Sequence, residues 1–481
     1  MEAVKTNQEY HSKLAKHRSL AMLVVMTGVL ITAVDTTIVV LALPEIEKGL
    51  SVGLASIVWV VIGYLLTITL LATQVGRLGD MFGRVKMYEA GFFVFVVGSL
   101  LCALSWNEYS IIVFRILQGI GGAFVSANSG AIIADLYPPN QRGRAYGYNA
   151  IGWSMGAVLG IVIGGIVVTY FSWRWIFWIN VPIGLIALGV ALKVLKQQGE
   201  RASHKLDLLG MVTLGAGIFG VLWGITKLST QNIDGSLIGW LAAGLGLLVA
   251  FYFIERNQKE PMLHLSLFKV PTMTPTLLAS LFQGLANFAV LFLVIMYLQG
   301  PRGLSPIHAS LLLVPGYVIG ATIGPFAGRL ADKKGPVIPA TAGLAIQAVA
   351  LFIYAHLELN TGLWLVVLAS VINGVGSSSF FPANNSAVMK ASPPKMFGIS
   401  SGMLRTFANI GMVFSFSVAI LVASRSITKH LAFAIFVGTT SLHGKLASAF
   451  TEGLHAAFYV SMAFMAIAAV LSVMREKRLS S

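Results

Sequence analysis

Asp35 is the one carboxylate set deep in an apolar run; the rest of the 18 acids stand at the ends of such runs or between them. An ionisable side chain in that setting is costly, and it is retained to carry protons, to bind a charged ligand or to satisfy a partner. Arg115, inside another apolar run, is its natural partner. Burial favours the neutral acid, whereas a nearby guanidinium favours the carboxylate. A balance that changes during a working cycle is what a proton carrier needs. Three uses stay open for Asp35: proton carrier, seat for a cationic substrate, and structural acid held by Arg115 or by backbone. Arg405 is less usual, because the second half of the chain has no deep carboxylate to pair with it. Asn373, Asn384, Asn385 and Asn409 could solvate it. It could reach toward the nearer surface as long side chains do, or touch an anionic or zwitterionic substrate. There is no His-Glu-x-x-His, no Gly-x-x-x-x-Gly-Lys-Ser/Thr phosphate loop and no cysteine–histidine metal spacing. The chain therefore reads as no enzyme, with no cofactor and no metal, and with an ion gradient as its energy source.

The elements that position these residues are membrane spans. Hydrophobic residues make up 56% and charged residues 11%, about half the usual soluble share of charge. About 20 apolar residues are needed to cross the hydrocarbon. Fourteen runs qualify: 19–43, 55–75, 87–106, 109–134, 145–170, 175–195, 207–227, 236–254, 274–298, 307–328, 337–357, 361–386, 398–424 and 454–474. The fairly apolar segment 425–452 is cut by Gly438 and reads as a surface or hairpin segment. At 1.5 Å per residue, Asp35 lies about 13 Å and Arg115 about 9 Å below the same surface. The first run is too long for the core of a cleavable signal. With the N-terminus inside, 24 of the 33 lysines and arginines fall in cytoplasmic segments and 7 in outer ones. Both termini are therefore expected in the cytoplasm. The same asymmetry accounts for the net charge of +15 without nucleic acid. The single cysteine, Cys102, excludes an intrachain disulfide.

The chain also repeats. Gly76-Arg77-Leu78-Gly79-Asp80 returns as Gly328-Arg329-Leu330-Ala331-Asp332. Gly119-Ile120-Gly121 returns as Gly374-Val375-Gly376, and Gly143 and Gly147 return as Gly398 and Gly402. The expected organisation is an all-α membrane protein of fourteen helices. Two pseudo-symmetric six-helix bundles occupy 1–200 and 261–481, with an inserted two-helix hairpin at 201–260. Such repeats place a transport site near the bilayer midplane, at the interface between them.

Four motifs carry a family resemblance. Gly76 to Lys86 resembles the cytoplasmic loop signature of the major facilitator superfamily, and Arg115-Ile116-Leu117-Gln118-Gly119-Ile120-Gly121-Gly122 resembles its fourth-span signature. Asp35 to Pro44 and Trp173 to Pro182 resemble signatures of its fourteen-span drug:proton antiporter family. In the fifth span the spaced glycines Gly152, Gly156, Gly160, Gly164 and Gly165 are in place, but Ile161 stands where that family has proline. The glycines permit tight packing against a neighbouring span, and the missing proline removes a kink. The departure bears on proton antiport more than on transport.

The resemblance implies that Asp35 and Arg115 line a central cavity and couple proton movement. It also implies a latch that holds the halves together when the cavity opens outward. Gly76, Asp80, Gly83, Arg84 and Asp135 belong to that latch, with Asp332 as a weaker copy. Candidate cavity residues are Trp59, Tyr64, Trp153, Gln283, Asn287, Tyr297, Asn373, Phe381 and Arg405, with Phe282, Phe288 and Phe380 beside them. Aromatic walls with a few polar groups suit amphipathic ligands. The expected function is export of amphipathic small molecules or drugs across the plasma membrane, by proton antiport and alternating access. The alternatives are a dedicated exporter of one metabolite, an amino acid or organic anion, and a transporter-like sensor. The expected partners are a small-molecule substrate, protons and the bilayer; the sequence leaves oligomeric state open.

Overall fold

A computed structural model describes residues 2–50, 54–196, 207–230, 235–258, 261, 263, 265–423 and 444–477. It is helical throughout, with no strand among the described residues. Lipid imposes this, because backbone N–H and C=O groups find no water there and must bond within their own segment. The first bundle holds α1 (Glu2–Leu50), α2 (Leu54–Phe82), α3 (Arg84–Ala103), α4 (Glu108–Leu136), α5 (Arg142–Tyr170) and α6 (Asn180–Val194). The hairpin is α7 (Leu208–Thr230) and α8 (Gly235–Asn257). The second bundle holds α9 (Met273–Gln299), α10 (Val314–Lys334), α11 (Val337–Tyr354), α12 (Leu363–Ala391), α13 (Phe397–Ala423) and α14 (Lys445–Lys477). Among the described residues, thirteen segments are long and apolar enough to cross a membrane, and α13, of 27 residues, stands among them as the fourteenth long helix.

Three boundaries differ from the sequence reading. The two Gly-Arg-Leu-x-Asp copies are not loops but the closing turns of α2 and α10. The chain breaks only at Gly83 and Gly335, with φ of 111° and 86°, a left-handed region that glycine enters without a Cβ penalty. Second, the sixth and tenth spans are interrupted near their starts. Short helices Trp175–Trp178 and Pro306–Leu311 precede α6 and α10. Third, the segment 425–452 is not wholly a surface piece. Residues 445–452 form the first turns of α14, whose apolar face continues through them, and 424–443 lie outside the described residues.

Small residues decide how the helices approach. Along α5, Gly152 and Gly156 sit against the carbonyls of Met26 and Leu30 on α1, where an added Cβ would come within 2.8 and 2.5 Å. Ile161 is buried in α5, which runs as one unbroken helix. Two further glycine seams join the bundles. On α5, Gly143 and Gly147 meet the carbonyls of Gly328 and Gly324 on α10. On α13, Gly398 and Gly402 meet the carbonyls of Gly76 and Ala72 on α2. The second seam is the sequence repeat of the first, with the bundles exchanged. The hairpin lies to one side, where α7 packs on both α2 and α13. It covers one of the two seams and not the other.

Candidate functional site

Asp35, on α1, sits inside the first bundle in a network that α2, α3, α4 and α6 complete. Its Oδ2 accepts from Arg115 Nη1 at 2.6 Å, and its Oδ1 accepts from Gln118 Nε2 at 2.8 Å and Asn180 Nδ2 at 3.1 Å. Arg115 Nε donates to the Val60 carbonyl at 2.9 Å, and Gln118 Nε2 also reaches Ser99 Oγ at 2.6 Å. The guanidinium stacks over the Tyr64 ring, 4.2 Å from its centroid. Asp35 and Arg115 are both fully buried. In a low-dielectric interior a buried pair persists only when its remaining donors and acceptors are satisfied. Here two amides, a backbone carbonyl and an aromatic face supply that satisfaction.

The pair is not in the cavity wall. A central cavity of about 220 Å³ lies between the bundles, and Thr36 and Tyr64 line it, one layer in front of Asp35 and Arg115. The helical turn explains this: residues adjacent in sequence point about 100° apart, so Thr36 faces the cavity when Asp35 faces α4. Tyr64, Trp153, Gln283, Asn287, Asn373, Phe381 and Arg405 line the cavity, and so does Phe288. Trp59 and Tyr297 do not. Trp59 faces the hairpin, 5.2 Å from the Phe219 ring and 5.3 Å from Trp223. Tyr297 stands near the far end of α9, its hydroxyl bonded to the Glu358 carbonyl at 2.6 Å and to Arg302 at 3.0 Å. Phe282 packs on Phe464 instead, and Phe380 is buried beside the Gly343 turn of α11. Sequence gave no means of distinguishing a helix's cavity face from its hairpin face, since both are apolar.

The residues expected to form a latch gather at the basic end of the helices. Asp80 accepts from the backbone N–H groups of Gly398 and Ile399, both at 3.0 Å, at the start of α13. It also binds Arg84 Nε at 2.9 Å and Nη2 at 2.7 Å. Arg84 bridges onward to Asp135 on α4 and to the Pro394 carbonyl of the second bundle at 2.9 Å. Asp332 repeats the geometry from the other side, accepting from Gly143 N at 2.8 Å and Arg144 N at 2.9 Å at the start of α5. A carboxylate against the free N–H groups at a helix N-terminus also meets the positive end of its dipole. Each bundle therefore caps a helix of the other. The second copy lacks an arginine partner for its acid among the described residues, so it makes fewer polar contacts than the first. Gly76 and Gly83 serve by shape: Gly76 admits the Gly398 carbonyl, and Gly83 turns the chain so that Arg84 starts α3. Thr73 and Thr406 add a hydroxyl bond of 2.9 Å across the same seam.

Residues 25–416 match the Major Facilitator Superfamily. The chain belongs to that superfamily. The tetracenomycin C resistance and export protein of Streptomyces glaucescens is 31% identical over 413 residues, covering 84% of this chain and 76% of that protein. The multidrug transporter MdtP of Bacillus subtilis is 29% identical over 416 residues, covering 85% and 76%. In fold, the chain resembles the proton:xylose symporter XylE with a TM-score of 0.66 over 95% of each chain, at 14% identity. This superfamily member is thus a multi-pass membrane transporter and not an enzyme.

Beyond Arg115, the side chains that hold Asp35 were not singled out from sequence. Gln118 had a signal, because it stands three residues after Arg115 and so shares its helix face. Asn180, a lone amide in an apolar span, had a weaker one. Nothing in sequence marked Ser99 or the backbone N–H groups of Gly398, Ile399, Gly143 and Arg144, which become ligands only once the bundles meet.

Proposed function

We propose that this chain is a secondary-active exporter of the fourteen-span drug:proton antiporter type, moving amphipathic small molecules across the plasma membrane. Both termini and the basic end with its latches face the cytoplasm. The bundles 1–200 and 261–481 rock about the cavity, and the hairpin 201–260 rides beside the α2–α13 seam. The observation that carries this reading is the buried Asp35–Arg115 pair, one side-chain layer behind a cavity that joins both bundles. A proton arriving at Asp35 neutralises the acid and releases Arg115 from its ion pair. Tyr64 is stacked on that guanidinium and lines the cavity, so the release reaches the substrate site directly. Coupling is then a differential stability of two states, set by the proton. The mixed apolar and amide lining fits amphipathic ligands. The export and multidrug roles in the names of two relatives support the direction and the substrate breadth.

The test uses proteoliposomes with an imposed proton gradient and Asp35→Asn, which keeps the size and removes the titratable charge. Gradient-driven transport collapses in the variant, while substrate exchange at equal pH partly survives because exchange needs no net proton movement. Wild-type gradient-driven transport by Asp35→Asn for every substrate tried would falsify the coupling role.

A further inference from the structure

Among the described residues the cavity wall holds one charged side chain, and it is a cation. Arg405 lines it from α13, about 12 Å into that helix at 1.5 Å per residue. No aspartate or glutamate is among the lining residues. Among the described residues, Arg405 makes no ion pair and no hydrogen bond. The contrast with Arg115 is informative. Both arginines lie in spans, but Arg115 has an acid, an amide, a carbonyl and a ring, whereas Arg405 has only the cavity and its neighbour Tyr146 from the opposite bundle. Around Arg405 the wall carries amides that are also unspent. The Asn149, Asn287 and Asn373 side chains line the cavity, and their buried Oδ1 atoms have no hydrogen-bond partner. Each of these open oxygens can accept a hydrogen bond from a ligand, and the same amides carry N–H donors.

We propose that the transported molecules carry a carboxylate, seated on Arg405 at the basic end of the cavity, with the apolar body against Trp153 and Phe288. This names the substrate class of the export reading above and rests on that reading. A guanidinium without a counter-ion in a membrane interior is unfavourable, and a carboxylate matches its planar fork with two parallel hydrogen bonds. The amides add hydrogen-bonding groups beside it, and their open Oδ1 atoms can accept from a ligand hydroxyl or from the ammonium of a zwitterion. A cation would meet Arg405 with no acid in the wall to offset the repulsion. The amphipathic substrates are therefore acids or zwitterions with an accessible carboxylate, and simple lipophilic cations are excluded.

Binding to purified protein in nanodiscs, without any proton gradient, tests this with three ligands on one skeleton: 1-naphthylacetate, its methyl ester and 1-naphthylethylamine. Quenching of tryptophan emission and competition report affinity. The expected result is at least tenfold tighter binding of the acid than of the ester, with the amine weakest. Arg405→Gln should erase the preference for the acid while leaving the ester's affinity within about twofold, and Arg405→Lys should restore part of it. Survival of ester binding shows that the Gln variant is folded. If wild-type protein binds none of the three, binds acid and ester alike, or favours the amine, the proposal is overturned. An acid preference that persists in Arg405→Gln overturns it too. Because no gradient is imposed, failure of proton coupling at Asp35 leaves this readout unaffected, and a failed acid preference leaves the coupling test standing.

Discussion

Removing charge from each latch in turn should loosen the basic end of the bundles by unequal amounts. Asp332→Asn leaves one carbonyl oxygen where two carboxylate oxygens accepted from Gly143 and Arg144. The loss is one charge-assisted bond, about 1.5–3 kcal/mol, and the charge at a helix N-terminus, about 0.3–1 kcal/mol. Asp332 is partly exposed, which places the sum near the lower end, about 2 kcal/mol. That is roughly a 30-fold shift in the closed-to-open ratio, at tenfold per 1.4 kcal/mol. Asp80 is 1% exposed and also holds Arg84, so Asp80→Asn breaks a buried pair, a loss of about 3–5 kcal/mol. The reporter is the distance between spin labels at Lys86 and Lys390, exposed residues on opposite bundles. Native Cys102 is fully buried and should not take label. The long-distance population should rise in the order wild type, Asp332→Asn, Asp80→Asn. Equal effects, or a larger one from Asp332→Asn, would refute the view that Arg84 makes the first latch the stronger.

Two further outcomes follow from packing. Alanine at Gly76 or Gly328 puts a methyl against the facing carbonyl of Gly398 or Gly143; overpacking of this kind costs about 1–3 kcal/mol, so each variant should express normally yet show the open distance, and an unchanged distance distribution would count against the glycine seams. Deleting 207–254 should leave a core that inserts in its original orientation but melts earlier, since Trp59 loses its contacts with Phe219 and Trp223, about 0.5–1.5 kcal/mol per aromatic pair; topology reporters in the second half that change sides would show that the hairpin is not a separable pair of spans.

The primary sequence determined whatever depends on local chemistry. Apolar length set the spans, because hydrocarbon thickness is fixed and backbone polarity forces helices. The return of Gly76–Asp80 as Gly328–Asp332 set the twofold plan, and an acid in an apolar run singled out Asp35. Matching depths along two helices sufficed to pair it with Arg115. Tertiary structure alone decided which face each helix turns to which neighbour. Asp35 came to lie behind Thr36 and Tyr64 instead of in the cavity wall. Trp59 turned to the hairpin and Tyr297 to the far end of α9, because apolar faces toward a cavity, a neighbour or lipid are written in the same residues. The latches were only half legible. Asp80 and Asp332 stand out as repeated acids, but their ligands are backbone N–H groups of the opposite bundle. Any residue has an N–H group, and only the close approach of glycine-lined helices brings those particular ones within reach.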